Sequence, residues 1–100
     1  MDVTVGKGDG CVLFRLGGRF DFNAHREFRD GVDRALQQQE TRVDVDLGEV
    51  AYLDSSALGM LLMLRDKAKS AGREVRLVNA RGSVRQVLEI ANFGKLFAIT

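Results

Sequence analysis

Apolar residues alternate with polar ones over residues 11–17 and 43–47, and recur at spacings of three and four over residues 23–38 and 55–71. The first period is that of a strand and the second that of a helix. Residues 2–5 and 11–17 read as two strands around Gly6-Lys7-Gly8-Asp9-Gly10, whose glycines supply the positive φ of a hairpin turn. A phosphate-binding loop would need Ser or Thr after the Lys and a helix behind it, and the sequence has neither. In the second strand Val12, Phe14 and Leu16 share one face, with Cys11, Leu13 and Arg15 opposite.

The first helix is expected over residues 23–38, with Ala24, Phe28, Val32, Ala35 and Leu36 on one face and Asn23 or Asp21 as cap. Gly31 weakens it by about 1 kcal/mol relative to Ala. Val43, Val45 and Leu47 then alternate with Asp44 and Asp46, a half-wet strand. A second helix is expected over 55–71, ended by Gly72. Val75, Leu77 and Val78 form a strand, Ser83 caps a short helix with a Val84, Val87, Leu88, Ala91 stripe, and residues 97–99 form a last strand. The order β β α β α β α β predicts an α/β fold over residues 1–100. Its mixed sheet has an N-terminal hairpin and parallel strands, packed with helices.

The second helix opens on Leu53-Asp54-Ser55-Ser56-Ala57-Leu58-Gly59. Asp and Ser are preferred N-caps, because their oxygens accept the free N–H groups of the first turn. The same terminus carries partial positive charge and tolerates a phosphate. Ser55 is therefore both a capping residue and a candidate phosphoacceptor. Ala57, Met60, Leu61, Leu64, Ala68 and Ala71 make the stripe that faces the sheet. At about 100° per residue, Leu58, Gly59 and Leu62 fall instead on the polar side, in line with Ser55. They offer apolar surface to a partner or to a covering helix, and Met63 extends it.

Composition narrows the function classes. A chain of 100 residues is one domain, and a net charge of +1 with both signs interspersed gives no nucleic-acid face. No apolar run approaches the length that spans a bilayer, and Met1-Asp2-Val3-Thr4 lacks the pattern of a signal peptide, so a cytoplasmic location is expected. One Cys builds neither a disulfide framework nor a four-ligand zinc site. Cys11, with no basic residue or metal-type partner near it in the sequence, reads as a small core or half-buried residue rather than a reactive thiol, and His25 as a solvated residue of the first helix. With one His, one Cys and no Ser-His-Asp order, an enzyme is not expected. No cofactor and no metal is expected.

Asp54-Ser55-Ser56-Ala57-Leu58-Gly59 resembles the phosphorylation motif of STAS domains, in particular anti-sigma factor antagonists. Gly18-Arg19-Phe20-Asp21 resembles that family's Gly-x-Leu-Asp turn, and residues 43–47, 73–78, 84–89 and 93–97 resemble its later elements. Ala57 stands where many members have Gly, a change that suits a helix interior. The resemblance implies that the dephosphorylated chain sequesters an anti-sigma factor. A serine kinase would modify Ser55, with Ser56 as runner-up, and a PP2C-type phosphatase would reverse it. Partner-binding residues would be Asp21, Asp46, Asp54, Ser56, Leu58, Gly59, Leu62 and Met63. Asp46, placed near the top of the central strand, would join Asp21 and Asp54 in an acidic cluster beside Ser55. Residues 18–29 resemble proteobacterial antagonists tied to a response regulator with phosphatase and kinase domains, a group associated with flagellar and biofilm control. The alternative is a constitutive STAS scaffold subunit of a transporter or lipid-trafficking complex, with Ser55 only a cap.

Overall fold

The computed structural model describes residues 1–100. Its elements are β1 (Asp2–Lys7), β2 (Val12–Phe20), α1 (His25–Leu36), β3 (Arg42–Leu53), α2 (Ser55–Ser70), β4 (Glu74–Val78), α3 (Gly82–Ile90) and β5 (Ala98–Ile99). The five strands lie in the order β1-β2-β3-β4-β5. β1 pairs antiparallel with β2, and every later pair is parallel. The crossovers through α1, α2 and α3 all step the same way across the sheet, so the right-handed rule puts their helices on one face. The fold is the expected α/β arrangement.

Alternation builds the core. Phe14 and Leu16 of β2, Val43, Val45 and Leu47 of β3, and Val75 and Leu77 of β4 are buried together with Phe28 of α1 and Leu61 and Leu64 of α2. Phe28 stacks on both Phe14 and Phe20, at ring distances of 5.4 and 5.0 Å. These contacts fix α1 over β2. Gly31 sits at the closest approach, where a Cβ would come within 2.6 Å of Val3 Cγ1.

The opposite face of the sheet is polar. Asp44 is the one buried charged residue. It accepts two hydrogen bonds from Arg42, at 2.9 and 3.3 Å, and lies 3.8 Å from Arg76. Asp44, and after it the Cys11 thiol, hold the Arg42 guanidinium further in its charged form than usual. Cys11 is buried as expected, but it borders a cation that sequence neighbours did not disclose.

Several boundaries differ from expectation: β1 reaches Lys7 rather than residue 5, and β2 runs over Val12–Phe20 rather than residues 11–17. β3 runs on past Leu47 to Leu53, because β2 shifts register between Arg15 and Gly17 and again between Gly18 and Arg19. Such irregularities let a strand bend and continue where simple alternation ends. The first helix is shorter than 23–38: a 3-10 turn over Phe22–Ala24 precedes α1, capped by Asp21, which accepts from the Asn23 N–H at 3.0 Å. α3 begins before Ser83, with Arg81 at the cap position and no side-chain bond there.

Candidate functional site

Phe20 and Leu53 face each other at the carboxyl ends of β2 and β3. One residue further, Asp21 opens the 3-10 turn and Asp54 opens α2. The Asp54 N–H donates to the Phe20 carbonyl at 3.3 Å and closes the two strand ends against each other. Ligand and partner chemistry in parallel sheets gathers at such strand ends.

Asp54 is the N-cap of α2. Its Oδ1 accepts from the Ala57 N–H at 3.0 Å and from the Ser56 hydroxyl at 2.6 Å. The Ser56 bond first, and the Ala57, Phe22 and Ser56 N–H groups with it, hold the Asp54 carboxyl below its ordinary value against a smaller opposing effect of desolvation. Asp54 is therefore a carboxylate at neutral pH with no cation within ion-pair distance. Asp21 differs: it pairs with Arg19 at 3.3 Å. The same guanidinium lies 4.5 Å from the centre of the Tyr52 ring, a cation–π contact.

The two serines differ in environment. Ser55 is exposed and its hydroxyl makes no hydrogen bond within the chain, whereas Ser56 is half-buried and spends its proton on Asp54. Gly59 is exposed on the same helix, and a Cβ there would meet nothing within 4 Å. Leu58, Leu62 and Met63 are half-buried and packed against the core, so each presents an edge rather than a whole side chain.

Asp46 does not join Asp21 and Asp54. It lies seven positions before Leu53, roughly 20 Å down an extended strand. Its side chain is on the polar face of the sheet, 3.7 Å from Arg15, and accepts from the Gly48 N–H at 2.9 Å. The expected acidic cluster beside Ser55 is therefore absent, because β3 is six residues longer than its alternating segment at the C-terminal side. No group of three or more His, Cys, Asp or Glu side chains converges to hold a metal ion.

Sequence reasoning missed two aromatic residues at this edge. Phe22 is 74% exposed and Tyr52 42% exposed. Phe22 begins the turn that follows β2, and that strand's last residue, Phe20, faces Leu53 just before Asp54 and Ser55. The available signal was position: an aromatic between a strand-ending Asp and a helix start stands outside both apolar periods.

The family profile described as "Mlab, STAS domain" matches residues 3–98. A STAS-domain containing protein of Pseudomonas aeruginosa (strain UCBPP-PA14) is 48% identical over 99 residues, covering 98% of this chain and 97% of that protein. The anti-sigma F factor antagonist of Paenibacillus polymyxa is 24% identical over 91 residues, covering 90% of this chain and 78% of its own. The anti-sigma factor antagonist SpoIIAA, solved unphosphorylated, superposes with a TM-score of 0.79 at 21% identity, covering 99% of this chain and 88% of its own. The phosphorylated form of the Bacillus protein gives 0.71 at 20% identity, covering 99% and 91%. At these identities SpoIIAA speaks for the fold. No helix is long and apolar enough to cross a membrane. The chain belongs to the STAS domain family.

Proposed function

We propose that this STAS domain is an anti-sigma factor antagonist whose binding is switched by phosphorylation of Ser55. The dephosphorylated chain binds an anti-sigma factor and so releases the sigma factor. A serine kinase transfers phosphate from ATP, and a PP2C-type phosphatase removes it. The observation that carries the reading is the state of Ser55: an exposed, unengaged hydroxyl at the first position of α2. A relative named as an anti-sigma F factor antagonist, and a fold shared with an antagonist known in both phosphorylation states, support it.

The partner-facing surface runs from the turn at Asp21 and Phe22 across Asp54, Ser55 and Ser56 to Gly59 and the half-buried edges of Leu58, Leu62 and Met63. Asp46, on the polar face, is outside it. A phosphoserine brings about −1.5 to −2 charges. The start of a helix offsets only about 0.3–1 kcal/mol of that, which is too little to refold the domain. Beneath a docked partner an uncompensated charge costs about 3–5 kcal/mol, or roughly two to four decades of affinity. Asp54 beside it adds repulsion, and the nearest cation by register, Arg19, is already engaged by Asp21. Phosphate thus acts by occluding the surface.

A second reading, kept open by the match to the profile "Mlab, STAS domain", is a constitutive STAS scaffold subunit of a transporter or lipid-trafficking complex. Co-purification from the native host separates the two. With Ser55→Ala and Ser55→Asp chains as baits, an anti-sigma factor retained by the first and lost by the second supports the switch. Equal retention of one ATPase-containing assembly by both supports the scaffold.

A further inference from the structure

We propose that the Asp54–Ser56 hydrogen bond is the device that confines modification to Ser55. The inference rests on the reading of Ser55 as phosphoacceptor and concerns how that site is selected. Two adjacent serines open α2, Ser55 exposed and Ser56 half-buried. Their hydroxyls are unequal. Ser56 Oγ is 2.6 Å from Asp54 Oδ1, and the same oxygen also accepts the Ala57 N–H, so one carboxylate oxygen ties the serine to the helix cap. Ser55 has no such tie.

In the transfer, a serine oxygen forms a bond to the γ-phosphorus of ATP while the bond from that phosphorus to the ADP oxygen breaks. The hydroxyl proton passes to the kinase's base. Ser56 meets three obstacles. Its proton is directed at Asp54 rather than outward. Asp54, whose carboxyl is held below its usual range, is a weak base for removing that proton. The product would place a phosphate of about −1.5 to −2 charges against a carboxylate with no cation beside it. Ser55 meets neither of the first two: its phosphate also feels Asp54, but its hydroxyl is exposed and not bound to that carboxylate. Asp54 is accordingly a positioning residue, acting through Ser56 and not on the transferred phosphoryl group.

The test is site-resolved phosphopeptide mass spectrometry of chains expressed from their own locus in the native host. In wild type, phosphate is expected on Ser55 alone, and in Ser55→Ala on neither serine. Asp54→Ala frees Ser56, and phosphate is expected to appear there as well, at least about fivefold above its wild-type level, the factor a lost hydrogen bond corresponds to. Asp54→Asn keeps an acceptor oxygen and removes only the charge repulsion, so it is expected to retain most of the preference. Helical circular dichroism of each variant establishes that α2 stays folded. Phosphate on Ser56 in Ser55→Ala overturns the proposal, as does an unchanged preference in Asp54→Ala. Loss of the preference in Asp54→Asn overturns it in favour of charge alone. Loss of all phosphate in Asp54→Ala overturns it too, because the kinase would then be reading Asp54 directly. A wild-type chain without phosphate under every growth condition overturns the phosphoacceptor reading itself, a result distinct from all of these.

Discussion

The Asp54 N–H reaches back across the strand ends to the Phe20 carbonyl at 3.3 Å. With the pairing of Phe20 and Leu53, this bond brings the turn that carries the exposed Phe22 and the start of α2 to the same end of the sheet. Aromatic side chains, Phe among them, are enriched at the buried centre of protein interfaces.

Phe22→Ala should therefore separate binding from folding. With 74% of the residue in water, the free chain loses little core. Its urea midpoint is expected to move by no more than about 0.5 kcal/mol of stability. Affinity for the anti-sigma factor, read by calorimetry, should fall by about 2 kcal/mol, or roughly thirtyfold. A variant that binds as well as wild type removes Phe22 from the surface.

Two glycines of the helices should respond in opposite directions to the same substitution. Both gain up to about 1 kcal/mol of helix propensity as Ala. At Gly59 the new Cβ meets nothing within 4 Å, so thermal stability should rise. At Gly31 it meets Val3 Cγ1 at 2.6 Å and two Phe14 ring atoms at 3.0 Å. Overpacking there costs about 1–3 kcal/mol and should lower the melting temperature. Thermal melts of the two variants decide it.

The contrast between those glycines shows what the sequence could and could not disclose. Helix periods and caps are local, so α2, its Asp54 cap and its buried stripe were readable from adjacent residues. Pairing across strands is not local. The alternation of Val43, Val45 and Leu47 breaks at Glu49, yet Val50 and Leu53 are buried further along the same strand, because β2 shifts register opposite them. That continuation carried Asp46 away from the site. The tight space between Gly31 and Val3 and the influence of Cys11 on Arg42 were hidden for the same reason: each joins residues far apart in sequence.

The cap also predicts a pH dependence. Ser56 is the largest cause of the lowered Asp54 carboxyl, so Ser56→Ala should move that carboxyl back up toward the ordinary value. Because folding depresses it, the stabilisation is fully present above the unfolded value of about 3.9 and is lost as pH falls through the folded value. The stability gap between wild type and Ser56→Ala should thus be constant near neutral pH and close below about pH 4. Carboxyl carbon shifts of Asp54 across an acid titration, together with melts at each pH, check both parts. An Asp54 titration indifferent to Ser56 contradicts the hydrogen bond.

Occlusion by charge implies that the fold stays the same. In Ser55→Asp, backbone amide shifts should change within residues 52–62 and around the Phe22 turn that Asp54 holds, and match wild type elsewhere. Widespread shifts would instead mean that charge at this position acts by rearranging the domain.

The most direct measurement is the mass of the peptide spanning residues 43–65, from chain purified from its native host with and without PP2C-type phosphatase treatment. An added mass of about 80 Da on Ser55, lost on treatment, is the predicted result. A chain unmodified at Ser55 under every growth condition, including in cells lacking the phosphatase, contradicts the switch and leaves Ser55 as the first residue of a capped helix.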